Sequence, residues 1–143
     1  MGRSAGADGE LMNLVHIPAK FVDYAWRDGA LKLGDSCVDE CTPDQLKMLL
    51  STGERLLVRI EDKEKIVGWS AYRIDQMPNM RVFYITNLYA PDAHFERFYD
   101  MVKEIAKLQG CSKVRCSAEP VQARLYSIKL GFKPVYQVLE GEV

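Results

Sequence analysis

The sequence predicts one α/β domain of mixed α+β character. Its centre is a mixed, mostly antiparallel six-stranded sheet with helices on both faces. Three observations predict it. Strand-like segments at 54–61 and 65–74 are separated only by a short charged turn, the signature of a hairpin. A strongly amphipathic stretch at 94–110 stands between two further strand-like segments, as in a strand–helix–strand crossover. The 143 residues are 48% hydrophobic and 27% charged, the size and makeup of a single globular domain. We read 12–143 as that domain. Residues 1–11, opening MGRSAGADGE, read as a flexible leader or cloning remnant, with Met12 a second candidate start.

The elements follow in order. MNLVHI (12–17) is a short apolar strand. Pro18 opens a helix in PAKFVDYAWRDGALKL, with Phe21, Val22, Ala25 and Trp26 on one face and a break expected at Gly29. A second helix starts at Thr42, which forms a capping box with Gln45 and has Pro43 in the first turn. Gly53 ends it. ERLLVRIE (54–61) and KIVGWSAYRI (65–74) make the hairpin, and DQMPN supplies the next turn. MRVFYITNLY (80–89) is apolar on both faces, the mark of a strand covered on both sides. In the 94–110 helix, Phe95, Phe98, Tyr99, Val102, Ile105 and Ala106 follow helical spacing up to Gly110. SKVRCSA (112–118) is the fifth strand, 120–130 the last helix, and FKPVYQVL (132–139) the sixth strand.

Composition excludes several classes of function. Nineteen basic and twenty acidic side chains leave a net charge of −1, no footprint for nucleic acid or a membrane surface. No apolar run reaches the ~18 residues of a spanning helix. The four cysteines read as free thiols of a reducing, cytoplasmic setting. Their C-x3-C and C-x4-C spacings could in principle make a zinc site, but they are not the usual C-x2-C ribbons and no His sits at ligand spacing, so no metal is expected. Cys116 alternates with Val114 and reads as a small buried hydrophobe.

The element order, the closing segment ARLYSIKLGFKPV, the IVGW of the third strand and the LYAP after the fourth resemble the GNAT acetyltransferase family. The resemblance spans 12–139. It implies a splay between strands 4 and 5, with acetyl-CoA in the wedge between 87–90 and 115–117. Asn87, Leu88, Tyr89 and Ala90 would bind it through strand 4. Tyr126 would be the general acid that protonates the departing thiolate, and an amine would be the acceptor. Read from the residue alone, Tyr126 is a half-buried helix side chain whose hydroxyl reaches the surface. Asn87, Glu119 and Asp75 are candidates for a base.

One motif departs from the family. Its diphosphate loop is glycine-rich, because backbone amides must approach phosphate closely. Here the stretch reads DAHFER, and no glycine occurs from 91 to 109. His94 and Arg97 would pair with phosphate instead, or else belong to a solvated helix start. The shortened form is similar to small GNAT-like proteins encoded by tailed phages. These share Val67-Gly68, the Pro78-to-Val82 turn and Gly110-Cys111. That likeness opens an alternative: a non-catalytic protein, in a virion or on a host factor, contacting a protein partner through Tyr24, Trp26, Phe95 or Tyr99.

Overall fold

A computed structural model describes residues 12–37, 40–91 and 95–143. The leader expected at 1–11, and His94, lie outside these described residues. The strands are β1 (Met12–Ile17), β2 (Leu56–Asp62), β3 (Lys65–Met77), β4 (Met80–Tyr89) and β5 (Lys113–Cys116). The α-helices are α1 (Val22–Asp28), α2 (Pro43–Thr52), α3 (Phe95–Leu108) and α4 (Pro120–Leu130). Two 3-10 segments, Ala19–Phe21 and Ala30–Ser36, flank α1.

Local chemistry accounts for the boundaries. The Gln45 amide donates to Thr42 Oγ1 at 3.2 Å, and the Thr42 amide donates to Gln45 Oε1 at 2.9 Å. Both halves of the predicted capping box are therefore made, and α2 starts where the sequence says. In the β2–β3 hairpin, Lys63 and Glu64 both take left-handed φ, 53° and 68°. That is the pattern of a two-residue turn whose twist matches the strands it joins. The break after α1 falls at Gly29, as expected.

The sheet runs β1-β2-β3-β4-β5, antiparallel except for the last pair, which is parallel. Adjacent residues of one strand face opposite sides, and the two cores follow from this. Leu57, Trp69 and Ala71 face α1 and α2, where Val22, Ala25, Leu46 and Leu50 close the first core. Val58, Ile60, Tyr72 and Phe83 face α3, where Phe98, Val102 and Ala106 close the second. The Tyr72 and Phe83 rings stack at 4.1 Å. Helices thus cover both faces. Phe21, placed on the buried face of the first helix by its spacing, is instead exposed, because the chain there is still a 3-10 turn rather than α1.

Two bonds hold the turn from α3 into β5 against the start of β4. Arg81 Nε donates to the Gln109 carbonyl at 2.8 Å, and the Ser112 amide donates to the Arg81 carbonyl at 3.0 Å. They set β5 beside the first half of β4.

The sixth strand does not form. Residues 132–139 make no strand, the sheet has five strands, and β5 is its edge. Two physical reasons apply. Pro134 has no N–H to give a ladder, and β5 offers only four residues of edge. α4 has the predicted bounds, yet none of its residues is buried.

Gly68 is required by a close approach. A Cβ there would lie 2.4 Å from the Tyr89 carbonyl oxygen, at the far end of β4. Replacing it forces backbone apart, a strain of the kind that costs ~1–3 kcal/mol. Gly68→Ala is therefore expected to lower the unfolding free energy by that amount, measured by urea denaturation.

Candidate active site

The site begins with a change of register in β4. Ala71 of β3 faces Asn87, while the next residue, Tyr72, faces Ile85. Thr86 is the extra residue of a β-bulge, and its Oγ1 donates to the Ala71 carbonyl at 3.2 Å. On the other side, β5 pairs with β4 from Val82–Lys113 to Ile85–Cys116 and ends there. Past Ile85, β4 continues without β5 beside it. A cavity of about 250 Å³ lies at this place.

Its walls come from five elements. Ile85, Asn87 and Leu88 are contributed by β4, and Cys116 by the end of β5. Tyr126 projects from α4, and Phe95 and Tyr99 from α3. Asp35, Ser36 and Cys37, at the end of the second 3-10 segment, close the opposite side.

Asn87 ties that segment to β4. It is buried, and its Nδ2 donates to Ser36 Oγ at 2.9 Å. Its carbonyl accepts from Ser70 Oγ at 2.8 Å. Its Oδ1 is buried with no partner among the described residues, a costly arrangement. Ser117, in the cavity wall, shares a hydrogen bond between its hydroxyl and that of Tyr84.

Tyr126 is held among aromatics, with Phe95 at 6.0 Å and Phe132 at 6.2 Å between ring centroids. Burial pushes its pKa up, and the neighbouring Cys116 thiol adds to the effect. Burial also pushes the Cys116 thiol up. Cys37 is raised first by burial and then by the adjacent Cys41. At neutral pH the cavity therefore holds a protonated phenol and protonated thiols.

The structure brings together only part of the predicted set. Tyr126, Asn87, Leu88 and Glu119 line the cavity. Tyr89 and Ala90 do not: Tyr89 packs toward the first core with Lys32 Nζ over its ring at 5.3 Å, and Ala90 packs on the second. Bulge and pleat turn them away. Arg97 is exposed in the first turn of α3 and is not in the wall. Asp75 is ion-paired with Arg73 at 2.8 Å and faces Val82, near the other end of β4. Cys116 is part of the cavity wall rather than core filler. Asp35, Ser36 and Cys37 were not marked by any sequence signal, since some fifty residues separate them from Asn87. Among the described residues no group of three or more His, Cys, Asp or Glu is placed to hold a metal ion. Nor is any helix among them long and apolar enough to cross a membrane.

Several solved structures that share this fold over most of the chain are named as acetyltransferases. A possible acetyltransferase from Clostridium difficile 630 superposes with a TM-score of 0.68 at 15% identity, covering 94% of this chain and 99% of that one. The fold is that of the GNAT acetyltransferases. A predicted acetyltransferase from Clostridium acetobutylicum, solved with acetyl-CoA, has a TM-score of 0.63 at 19% identity, covering 92% and 96%. An aminoglycoside N-acetyltransferase in complex with CoA has a TM-score of 0.64 at 12% identity, covering 92% and 94%. No protein-family model and no curated protein matches the chain. At these identities the GNAT likeness is one of fold.

The raised Tyr126 pKa has a consequence for stability. The folded state keeps the phenol proton more tightly than the unfolded chain does, so unfolding is helped once the unfolded phenol ionises. The stabilisation is complete below about pH 10, the ordinary phenol value, and is lost as pH rises above it. Thermal melts between pH 9 and 11 are expected to show a shallower loss of Tm for Tyr126→Phe than for the wild type.

Proposed function

We propose that the protein is an N-acetyltransferase that takes its acetyl group from acetyl-CoA and delivers it to an amine. The observation that carries this reading is Tyr126, set into a cavity at the point where β5 stops pairing with β4. We read the end of this ladder at Cys116 as the splay expected of the fold. An edge of β4 backbone left unpaired at 86–88 suits an extended, amide-bearing chain, which takes the place of a strand. Acetyl-CoA supplies an activated acyl carbon and a thiolate leaving group.

Each residue then has a role. Asn87 and Leu88 hold the amide-bearing arm along β4. Tyr126, kept protonated by burial, gives its proton to the departing sulfur. An ordinary phenol is ~1.5 pKa units above an ordinary thiol, so the transfer is uphill by ~2 kcal/mol. That is small against the ~16 kcal/mol barrier of a reaction turning over at ~10 per second. Glu119, at the head of α4, and Asp35 are the carboxylates in the cavity wall, positioned to take a proton from the acceptor amine. Arg97, with His94, is assigned to the diphosphate. A glycine-free sequence from 91 to 109 makes that subsite weaker than a glycine loop.

The alternative, a non-catalytic protein acting through its aromatics, has less support. Phe95 and Tyr99 line the cavity and Trp26 packs on the first core, so of the four only Tyr24 stands free of the interior.

The test is thermal and kinetic. With a dissociation constant of ~0.1 mM, acetyl-CoA at ~5 mM stabilises by ~2 kcal/mol, which raises Tm by a few degrees. Tyr126→Phe is expected to keep that shift and to lower kcat by ~10²–10⁴-fold, followed by release of free thiol. No shift at millimolar acetyl-CoA would contradict the reading.

A further inference from the structure

Two of the free cysteines are neighbours. Cys37 and Cys41 are both half-buried at the rim of the first core. The Cys41 thiol is near enough to act on Cys37 by charge and by hydrogen bond. Neither residue lies in a helix or a strand. Cys37 follows the second 3-10 segment, and Cys41 precedes Thr42, the cap of α2. A bond between them therefore breaks no helix or sheet hydrogen bond. Cys111 packs on the second core and Cys116 ends β5.

Their surroundings give the two sulfurs different parts. Arg55 Nη1 lies 4.0 Å from Cys41 Sγ, so a cation stands beside that sulfur. Reactive thiols are found beside cations and partly open to solvent. Burial first, and the Cys41 neighbour next, push the Cys37 thiol up, while Arg55 opposes both. Cys37 Sγ faces the Leu33 carbonyl at 3.8 Å and Asn87 Nδ2 at 3.9 Å. Cys41 is thus the sulfur placed to react first, and Cys37 the one placed to resolve.

Cys37 also connects this pair to the cavity. It stands in the cavity wall, and Asn87 Nδ2 reaches both its sulfur and Ser36 Oγ. Whatever draws Cys37 toward Cys41 acts on the contact that ties this segment to β4.

We propose that Cys37 and Cys41 form a peroxide-sensitive dithiol, which closes to a disulfide and displaces the cavity wall at Asn87. Cys41 gives up its proton and its sulfur attacks the peroxide O–O bond. A sulfenic acid forms on Cys41, and the departing hydroxide takes the proton and leaves as water. The Cys37 sulfur then attacks the Cys41 sulfur. The S–O bond breaks, and the hydroxide takes the Cys37 proton as a second water. Two thiols are oxidised and one peroxide is reduced. A dithiol reductant reverses the step. An S–S bond of ~2.05 Å draws Cys37 Sγ toward Cys41, so its contact with Asn87 is given up. The inference is independent of what the cavity binds.

Mass spectrometry of the full chain treated with hydrogen peroxide tests it. The expected result is loss of two hydrogens, a Cys37–Cys41 bond in the peptide map, and recovery of the mass with dithiothreitol. Cys37→Ser is expected to stop at a dimedone-reactive sulfenic acid on Cys41. The second readout is the Asn87 side-chain amide resonance, which should shift on oxidation of the wild type and return on reduction. Both main readouts use the wild type, so neither depends on a variant folding. A disulfide joining Cys37 to Cys116, or thiols that take up oxygen without bonding, would overturn the inference. So would a Cys37–Cys41 bond that leaves the Asn87 resonance in place.

Discussion

The four-residue parallel ladder between β4 and β5 is the constraint from which the site follows. Its start is fixed by Arg81, which bonds the Gln109 carbonyl and accepts from the Ser112 amide, so β5 cannot slide along β4. Its end is fixed at Cys116, where the chain turns toward α4. The bulge at Thr86 then bends β4 just where it loses its neighbour. The half paired on both sides secures the strand, and the half paired with β3 alone leaves its other edge to supply hydrogen-bonding groups. Such groups cannot stay dry and unmet without cost, so this half of β4 is suited to a polar, extended ligand.

Placing the wall opposite requires the chain to spend a buried amide. Asn87 reaches from β4 to Ser36 and Cys37, which fixes the second 3-10 segment across the cavity. Its other amide atom is left without a partner among the described residues. Ser70 anchors the same residue from behind through its carbonyl. The result is a pocket with one wall of sheet, one of aromatic side chains and one of a short polar segment. Within it the phenol and thiols are held in their neutral forms by burial. A neutral phenol donates a proton and a neutral thiol does not compete as a nucleophile, which suits acyl transfer by direct attack of an amine.

Local signals in the sequence were strong where they rest on short-range chemistry. The capping box at Thr42 and Gln45, the turn at 62–64 and the helix from 120 to 130 all depend on neighbours within a few residues. The two cores were readable because alternation in β2 and helical spacing in α3 leave no other arrangement. What failed depends on distant contacts. FKPVYQVL has the composition of a strand, yet Pro134 and the shortness of β5 decide against one in a single chain. The side chains of Tyr89 and Ala90, past the bulge at Thr86, pack on the two cores rather than in the cavity wall, and no local pattern marks the bulge. Asp35 and Ser36 join the site only through Asn87, across a separation the eye cannot follow in sequence. The expectation for Tyr126 rested on its surroundings, the helix ending at Gly131 and the aromatic that follows.

The central claim, that the unpaired half of β4 takes the amide-bearing arm of acetyl-CoA, is tested most directly by backbone amide chemical shifts during titration with the thioester. The account predicts saturable changes concentrated at Asn87, Leu88 and Ser117, with Val114 and the other amides of the paired half barely moving. Changes confined to the exposed face of α1, or none at the end of β4, would contradict it.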